Sequence, residues 1–115
     1  MIICILKNIN KGHMRYAVMQ DETLIGEFTF ERNHQIAFSS EITESMQLSV
    51  LQRMIQLESR LLMRMMPKLN TPGYENYQRL RSVVDGCMLR LQSLIAHVEH
   101  LRVVQDECDL HAMKN

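Results

Sequence analysis

The hydrophobic pattern of the chain changes its period at Ser39-Ser40. Before this point apolar and polar side chains alternate, which is typical of half-buried strands; after it the apolar residues follow helical spacing almost to the C-terminus. The helical part contains a heptad stripe on successive a and d positions: Tyr77, Leu80, Val84, Cys87, Leu91, Leu94, Val98 and Leu101. Because another helix must cover such a stripe, we predict an α+β fold, with a small antiparallel β-meander followed by a long antiparallel two-helix hairpin.

The length of 115 residues favours a single domain. We divide it into a β-meander over 1–40, a helical hairpin over 41–104 and a tail over 105–115 that loses the helical period and either frays or docks on the sheet. Four strands are expected at 2–7, 14–20, about 24–30 and 35–39, with tight connections such as Asp21-Glu22. In the third strand Leu24, Phe28 and Phe30 should share a face.

Helix boundaries are predicted from capping residues and prolines. Ser39-Ser40-Glu41 has the residues of a helix start, and Pro67 disfavours the helical conformation at Met66, so the first helix should end or kink there. Thr71-Pro72 is typical of an N-cap followed by the first helical position, and the second helix should run from there to about Val104.

The short connection makes the two helices antiparallel neighbours. Counting outward from the loop places Ile55 near Cys87, with Leu62 near Leu80 and Leu48 near Leu94 in the same register. Glu58 would then lie near Val83 or Val84, either turned outward or paired with Arg81.

Composition excludes several classes of function. Acidic and basic residues balance at thirteen each, so we expect neither an extended nucleic-acid-binding face nor a membrane-binding one. The apolar N-terminal run is too short for a signal-peptide core or a membrane span. The three cysteines lack a disulfide-framework spacing, so reduced thiols in a cytoplasmic protein are the simplest interpretation. No catalytic motif is present, so we expect no enzyme and no cofactor, and a buried, inert Cys87.

The first helix carries more apolar residues than a two-helix hairpin requires. One stripe, with Leu48, Leu51, Ile55, Leu62 and Met65, faces the second helix. A second stripe beside it either covers the sheet or binds a partner, and the two interpretations can coexist. Methionines at the hairpin turn either fill gaps in the core, their more common role, or form a permissive recognition patch. The expected partner-binding residues are Met46, Val50, Met54, Leu57, Leu61, Met63, Met65 and Met66.

Two other sets of residues suggest alternative functions. His97, His100, Cys108 and His111 are of types that bind zinc, although their spacing matches no familiar site. Arg53, Arg60, Arg64, Arg79 and Arg81 could gather on one side of the hairpin and contact phosphates. A solvated polar face is the more common use of such arginines.

The leading hypothesis is a small cytoplasmic interaction protein that binds a partner protein through its helix pair, acts as a chaperone, adaptor or regulator, and forms a homodimer. The second is a metal- or redox-responsive regulator that uses the C-terminal histidines and Cys108. The third is a nucleic-acid-binding regulator that uses the arginine face.

Overall fold

The computed structural model describes residues 1–71, 73 and 76–113, and within the last helix it leaves out the side chains of 105, 106 and 108–113. Its elements are β1 (Ile2–Asn10), β2 (His13–Gln20), β3 (Thr23–Phe30), β4 (Ile36–Phe38), α1 (Glu44–Leu69) and α2 (Tyr77–Met113). The strands form one antiparallel sheet in the order β1-β2-β3-β4, and α1 packs against α2. The predicted α+β architecture is confirmed.

Tight turns join the first three strands. At Lys11-Gly12 and at Asp21-Glu22 both central residues have positive φ, which is the geometry of a type I′ turn and matches the twist of the strands it joins. The meander order follows directly, because each strand pairs with the next one along the chain.

A β-bulge changes the predicted face of Leu24. Val18 pairs with Gly26 but Met19 pairs with Leu24, so Ile25 is an extra residue in β3. Since side chains alternate along a strand, this extra residue moves Leu24 to the solvent side, whereas Phe28 and Phe30 are buried as predicted.

The main core lies between the sheet and the two helices. Phe28 is at its centre and makes edge-to-face contacts with Tyr16, Phe30 and Phe38. The helices contribute the fully buried Val50, Leu51, Met54 and Leu94. A smaller cluster, with Met65, Val84 and Cys87 buried, joins the helices toward the hairpin turn.

The start of α1 differs from the prediction. The Ser39 hydroxyl accepts a hydrogen bond from the Glu27 backbone N–H at 2.8 Å, so it ties the chain to β3 instead of capping the helix. Ile42 then enters the core, where its side chain would lie within 2.6 Å of any Cβ at position 26. A glycine at position 26 is what allows this close approach. The helix begins only at Glu44.

The other predicted helix ends also need correction. Pro67 lies inside the last turn of α1, which continues to Leu69 because the partly buried Leu69 packs on the smaller core cluster. The expected tail is helical, since α2 continues to Met113; residues 105–113 contain no glycine or proline to stop it. The α2 helix begins at Tyr77 and not near 72, and Pro72 itself lies outside the described residues.

The heptad stripe on α2 is largely buried, as its spacing predicts. Val84, Cys87, Leu94 and Val98 are buried, and Leu80, Leu91 and Leu101 are partly buried against the two core clusters. Tyr77 is the exception; it is exposed at the first residue of the helix.

Candidate protein-binding face

A buried ion pair sets the register of the two helices. The guanidinium of Arg90 donates to both carboxylate oxygens of Glu58, from Nε to Oε1 at 2.9 Å and from one terminal nitrogen to Oε2 at 3.1 Å. The Glu58 side chain is only 3% exposed. The predicted position beside Val83 or Val84, facing outward or toward Arg81, is therefore wrong by about one helical turn. The register shifts because a buried carboxylate needs a cation and hydrogen-bond donors.

The same cluster holds the Cys87 thiol in its neutral form. The Cys87 thiol donates a hydrogen bond toward Glu58, with Sγ 3.0 Å from the carboxylate Oε2 and 3.2 Å from the backbone carbonyl oxygen. Burial, helped by the neighbouring carboxylate, raises the pKa of Cys87 to about 12. Burial also raises the pKa of Tyr16 to about 12, with the Glu58 charge adding to the effect. Protonated, buried groups of this kind support packing and not nucleophilic chemistry.

The structure separates the expected partner-binding residues into core and surface. Val50 and Met54 are fully buried in the main core and Met65 in the smaller cluster, while Met46 and Leu57 are partly buried against the main core. The second stripe of α1 thus covers the sheet, which removes Val50 and Met54 from any surface that a partner could reach, and Met65 is buried between the two helices.

The remaining members of the expected set are exposed: Leu61, Met63 and Met66. They do not form one patch. Met63 and Met66 are three residues apart, but Met63 and Leu61 differ by two positions, which is about 200° around the helix. Of the three, only Met66 lies on the same side of α1 as Leu48, Ile55 and Leu62.

An apolar surface lies on the side of the hairpin away from the sheet. We call it the outer helical face; it consists of Leu48, Ile55, Leu62 and Met66 of α1 and Met88, Leu91 and Ile95 of α2. Met88 and Ile95 are 44% and 48% exposed, and Leu91 between them is partly buried. The α1 members are spaced seven, seven and four residues apart, so they form one row along the helix.

Contacts on the opposite side of the helices show that the outer helical face points away from the sheet. The His97 ring lies 5.9 Å from that of Phe38 in β4, so this side of α2 faces the sheet. Ile95 is two positions from His97, about 200° around the helix, and therefore points away. On α1, Leu48 is two positions from the core residue Val50 and turns toward the outer side, while Leu48 and Ile55 are also partly buried against the main core.

The sequence also indicates this face, through apolar residues that lie beside the heptad stripe and not on it. Met88 and Ile95 occupy e positions when Val84 and Leu91 are a positions. In a simple pair of helices e positions carry charged residues, so apolar residues there indicate that something further covers the helix.

A second apolar surface belongs to the edge strand β1. Ile3, Ile5, Leu6 and Ile9 are all exposed there. Alternation and the register shift between Leu6 and Asn8 divide them between the two faces of the sheet, with Ile3 and Ile5 on one side and Leu6 and Ile9 on the other. Because these residues are divided, β1 offers a partner less continuous surface than the outer helical face.

The candidate metal ligands do not converge. His97 and His100 have ring centroids 6.3 Å apart, but His97 packs on the sheet. The side chains of Cys108 and His111 lie outside the described residues. Their backbone is part of the continuous α2, which places His111 about 21 Å along the axis from His97. Within the described part of the chain, no three His, Cys, Asp or Glu side chains are grouped as a metal site requires.

The five arginines are only partly aligned: Arg53, Arg60 and Arg64 follow one line along α1, whereas the two on α2 diverge. Arg79 and Arg81 are two positions apart on one helix and so point in nearly opposite directions. Arg81 pairs with Asp85 at 3.4 Å, and Arg53 is partly buried and donates to Gln56. Arg79 and Arg81 therefore do not belong to one basic side of the hairpin.

Comparison with protein-family models, curated proteins and solved structures gave no significant match. Among the described residues, neither helix has the length and apolar character needed to cross a membrane.

Proposed function

We propose that this protein is a small protein-binding module, acting as a chaperone, adaptor or regulator, and that the outer helical face is its binding surface. The observation that carries the proposal is the row of half-exposed apolar side chains on the side of the hairpin opposite the sheet, with Met88 and Ile95 at its centre. Continuous apolar patches of this kind on a folded domain are typical of protein interfaces. A partner helix would dock along this face by burying side chains at helical spacing.

We propose no catalytic role for this protein. The ionisable groups of Glu58, Cys87 and Arg90 lie between the helices, where they hydrogen-bond to one another and are almost completely shielded from solvent. The proposed compartment is the cytoplasm, because the buried cysteines Cys4 and Cys87 are both free thiols, as reducing conditions favour.

A pair of variants on α2 tests the binding surface. Ile95→Glu places a charge at the centre of the outer helical face. Leu89→Glu is the matched control, since Leu89 is exposed to the same degree, 46% against 48%, but points about 120° away. Tagged forms of both would be compared with the original chain by affinity capture from the cells that produce it, with quantitative mass spectrometry.

We expect Ile95→Glu to lose partners that Leu89→Glu retains, because a charge at a desolvated contact opposes binding. Circular dichroism would verify that both variants fold. If the two folded variants capture the same set of proteins, the outer helical face is not the binding surface.

A further inference from the structure

The face of the sheet that is turned away from the helices carries a cavity near the turn between β1 and β2. Asn8, Arg15 and Thr29 are paired with one another across three strands, so they form one row on the sheet. The adjacent row contains Tyr16 and Phe28, which are buried in the main core. Because side chains alternate along a strand, the row with Arg15 lies on the opposite face. A shallow cavity of about 410 Å³ lies over it, a volume that suits a small molecule.

Three basic side chains from different segments line this cavity: Lys11 from the β1–β2 turn, Arg15 from β2 and Arg32 from the connection after β3. Gly12 brings two of these segments together. A Cβ at position 12 would lie 3.7 Å from both Cα and Cγ of Arg32, so Arg32 packs across the turn beside Lys11. None of the ion pairs among the described residues involves these three cations, so their charges are available to a ligand.

The carboxylates that balance the charge of the meander are directed elsewhere. Glu31 pairs with His13 at 3.1 Å, and Asp21 pairs with the N-terminal amino group at 3.1 Å. Asp21 lies in the turn at the other end of β2, about 26 Å away, which is roughly three times the distance over which charges interact in physiological salt. Glu27 is the one carboxylate that lines the cavity, against three cations. The neutral composition of the chain thus hides a local excess of two positive charges.

We propose that this cavity binds a small phosphate ester that also carries hydroxyl groups. Guanidinium groups donate paired hydrogen bonds to phosphate oxygens, and the excess positive charge matches the charge of about −1.5 to −2 that a phosphomonoester has at neutral pH. A single carboxylate would neutralise only half of that excess. Glu27 can accept hydrogen bonds from the hydroxyl groups, and the amides of Asn8 and Asn10 can donate to them. The site is separate from the outer helical face and does not depend on its role.

The residues that line the cavity favour a small ligand over a nucleic acid. Proteins that bind single strands stack the bases on aromatic rings and follow the backbone with a basic groove. No Phe or Tyr is found among the described side chains that line this cavity. The aromatic residues Tyr16, Phe28 and Phe30 are buried on the other face of the sheet, where no base can reach them. A phosphate group needs only the cations and the amides.

Heteronuclear NMR of the full chain, titrated with glycerol 3-phosphate at constant ionic strength, tests the site. One variant combines Arg15→Gln with Arg32→Gln. The matched control combines Arg60→Gln with Arg79→Gln, which removes the same charge from two exposed arginines on the helices. Because all four arginines are exposed, both variants should fold, and the dispersion of their spectra verifies this.

We expect saturable shifts of the backbone amides in 11–15 and 27–32, with a dissociation constant in the millimolar range because the site is open to solvent. Binding should weaken by about 10-fold or more in the first variant, which loses two charged donors, and stay unchanged in the control. Glycerol alone should shift none of these amides.

Three results overturn the proposal. The first is the absence of saturable shifts with glycerol 3-phosphate. The second is equal binding by the two variants, which would mean that the phosphate responds only to the total charge of the chain. The third is a response of the same amides to single-stranded oligothymidylate but not to glycerol 3-phosphate, which would assign the cavity to a nucleic acid.

Discussion

Removal of the Arg90 side-chain charge should reveal how much the buried ion pair contributes to the fold. In Arg90→Met the Glu58 carboxylate loses both charged hydrogen bonds, at 2.9 and 3.1 Å, and keeps only the Cys87 thiol. Breaking a buried pair in this way costs about 3–5 kcal/mol, because a charge remains buried without a partner. A chain of this length has a free energy of unfolding of about 6–17 kcal/mol. The variant should fold, with a melting temperature lower by about 10–20 °C.

Chemical denaturation at pH 7 measures the loss in the free energy of unfolding. Two further variants show whether the ion pair is its cause. Arg81→Met breaks the exposed pair with Asp85 and should cost less than about 1 kcal/mol. Glu58→Leu combined with Arg90→Met removes both charges and should recover most of the loss, because the Cys87 thiol can still donate to the backbone carbonyl of residue 58.

If Arg90→Met costs no more than Arg81→Met, or if the double variant is as unstable as Arg90→Met, the ion pair does not set the register of the helices.

Two further predictions follow from the ionisable groups. Cys4 and Cys87 should resist alkylation at pH 8 until the chain is unfolded, because burial raises the pKa of Cys4 to about 11 and that of Cys87 to about 12. Mass spectrometry of the labelled peptides measures this. Rapid labelling of either cysteine in the folded chain would contradict the prediction. Burial, with the nearby His100 charge, lowers the pKa of His97, so the unfolded chain binds the proton more tightly and stability should be lost as the pH falls below about 6.5. Denaturation across this range should show a smaller acid loss in His97→Gln, and an unchanged slope would contradict the assignment.

Local patterns in the sequence predicted most of the fold. Alternation in residues 1–40 indicated the strands, because side chains on a strand point to opposite faces in turn. The heptad spacing of α2 predicted which of its residues the other helix covers, since that periodicity is a property of the helix itself. Both signals depend only on residues close to one another in the chain.

The candidate site was only partly predictable. The excess of apolar residues on α1 was recognised, but the spacing alone left open whether its second stripe contacts the sheet or a partner, and the sheet proved to cover Val50 and Met54. The outer helical face was missed because Met88 and Ile95 lie beside the heptad stripe and are not part of it.

The tertiary structure decided what depends on distant residues. Glu58 is paired because Arg90, thirty-two positions away, reaches it when the helices lie side by side. Leu24 is exposed because its pairing with β2 places an extra residue at Ile25. In both cases the local sequence determined that a strand or a helix forms. The register between two elements was determined by the arrangement that pairs buried charges and fills the core. These interactions exist only when the elements are in contact, so the local sequence does not reveal them.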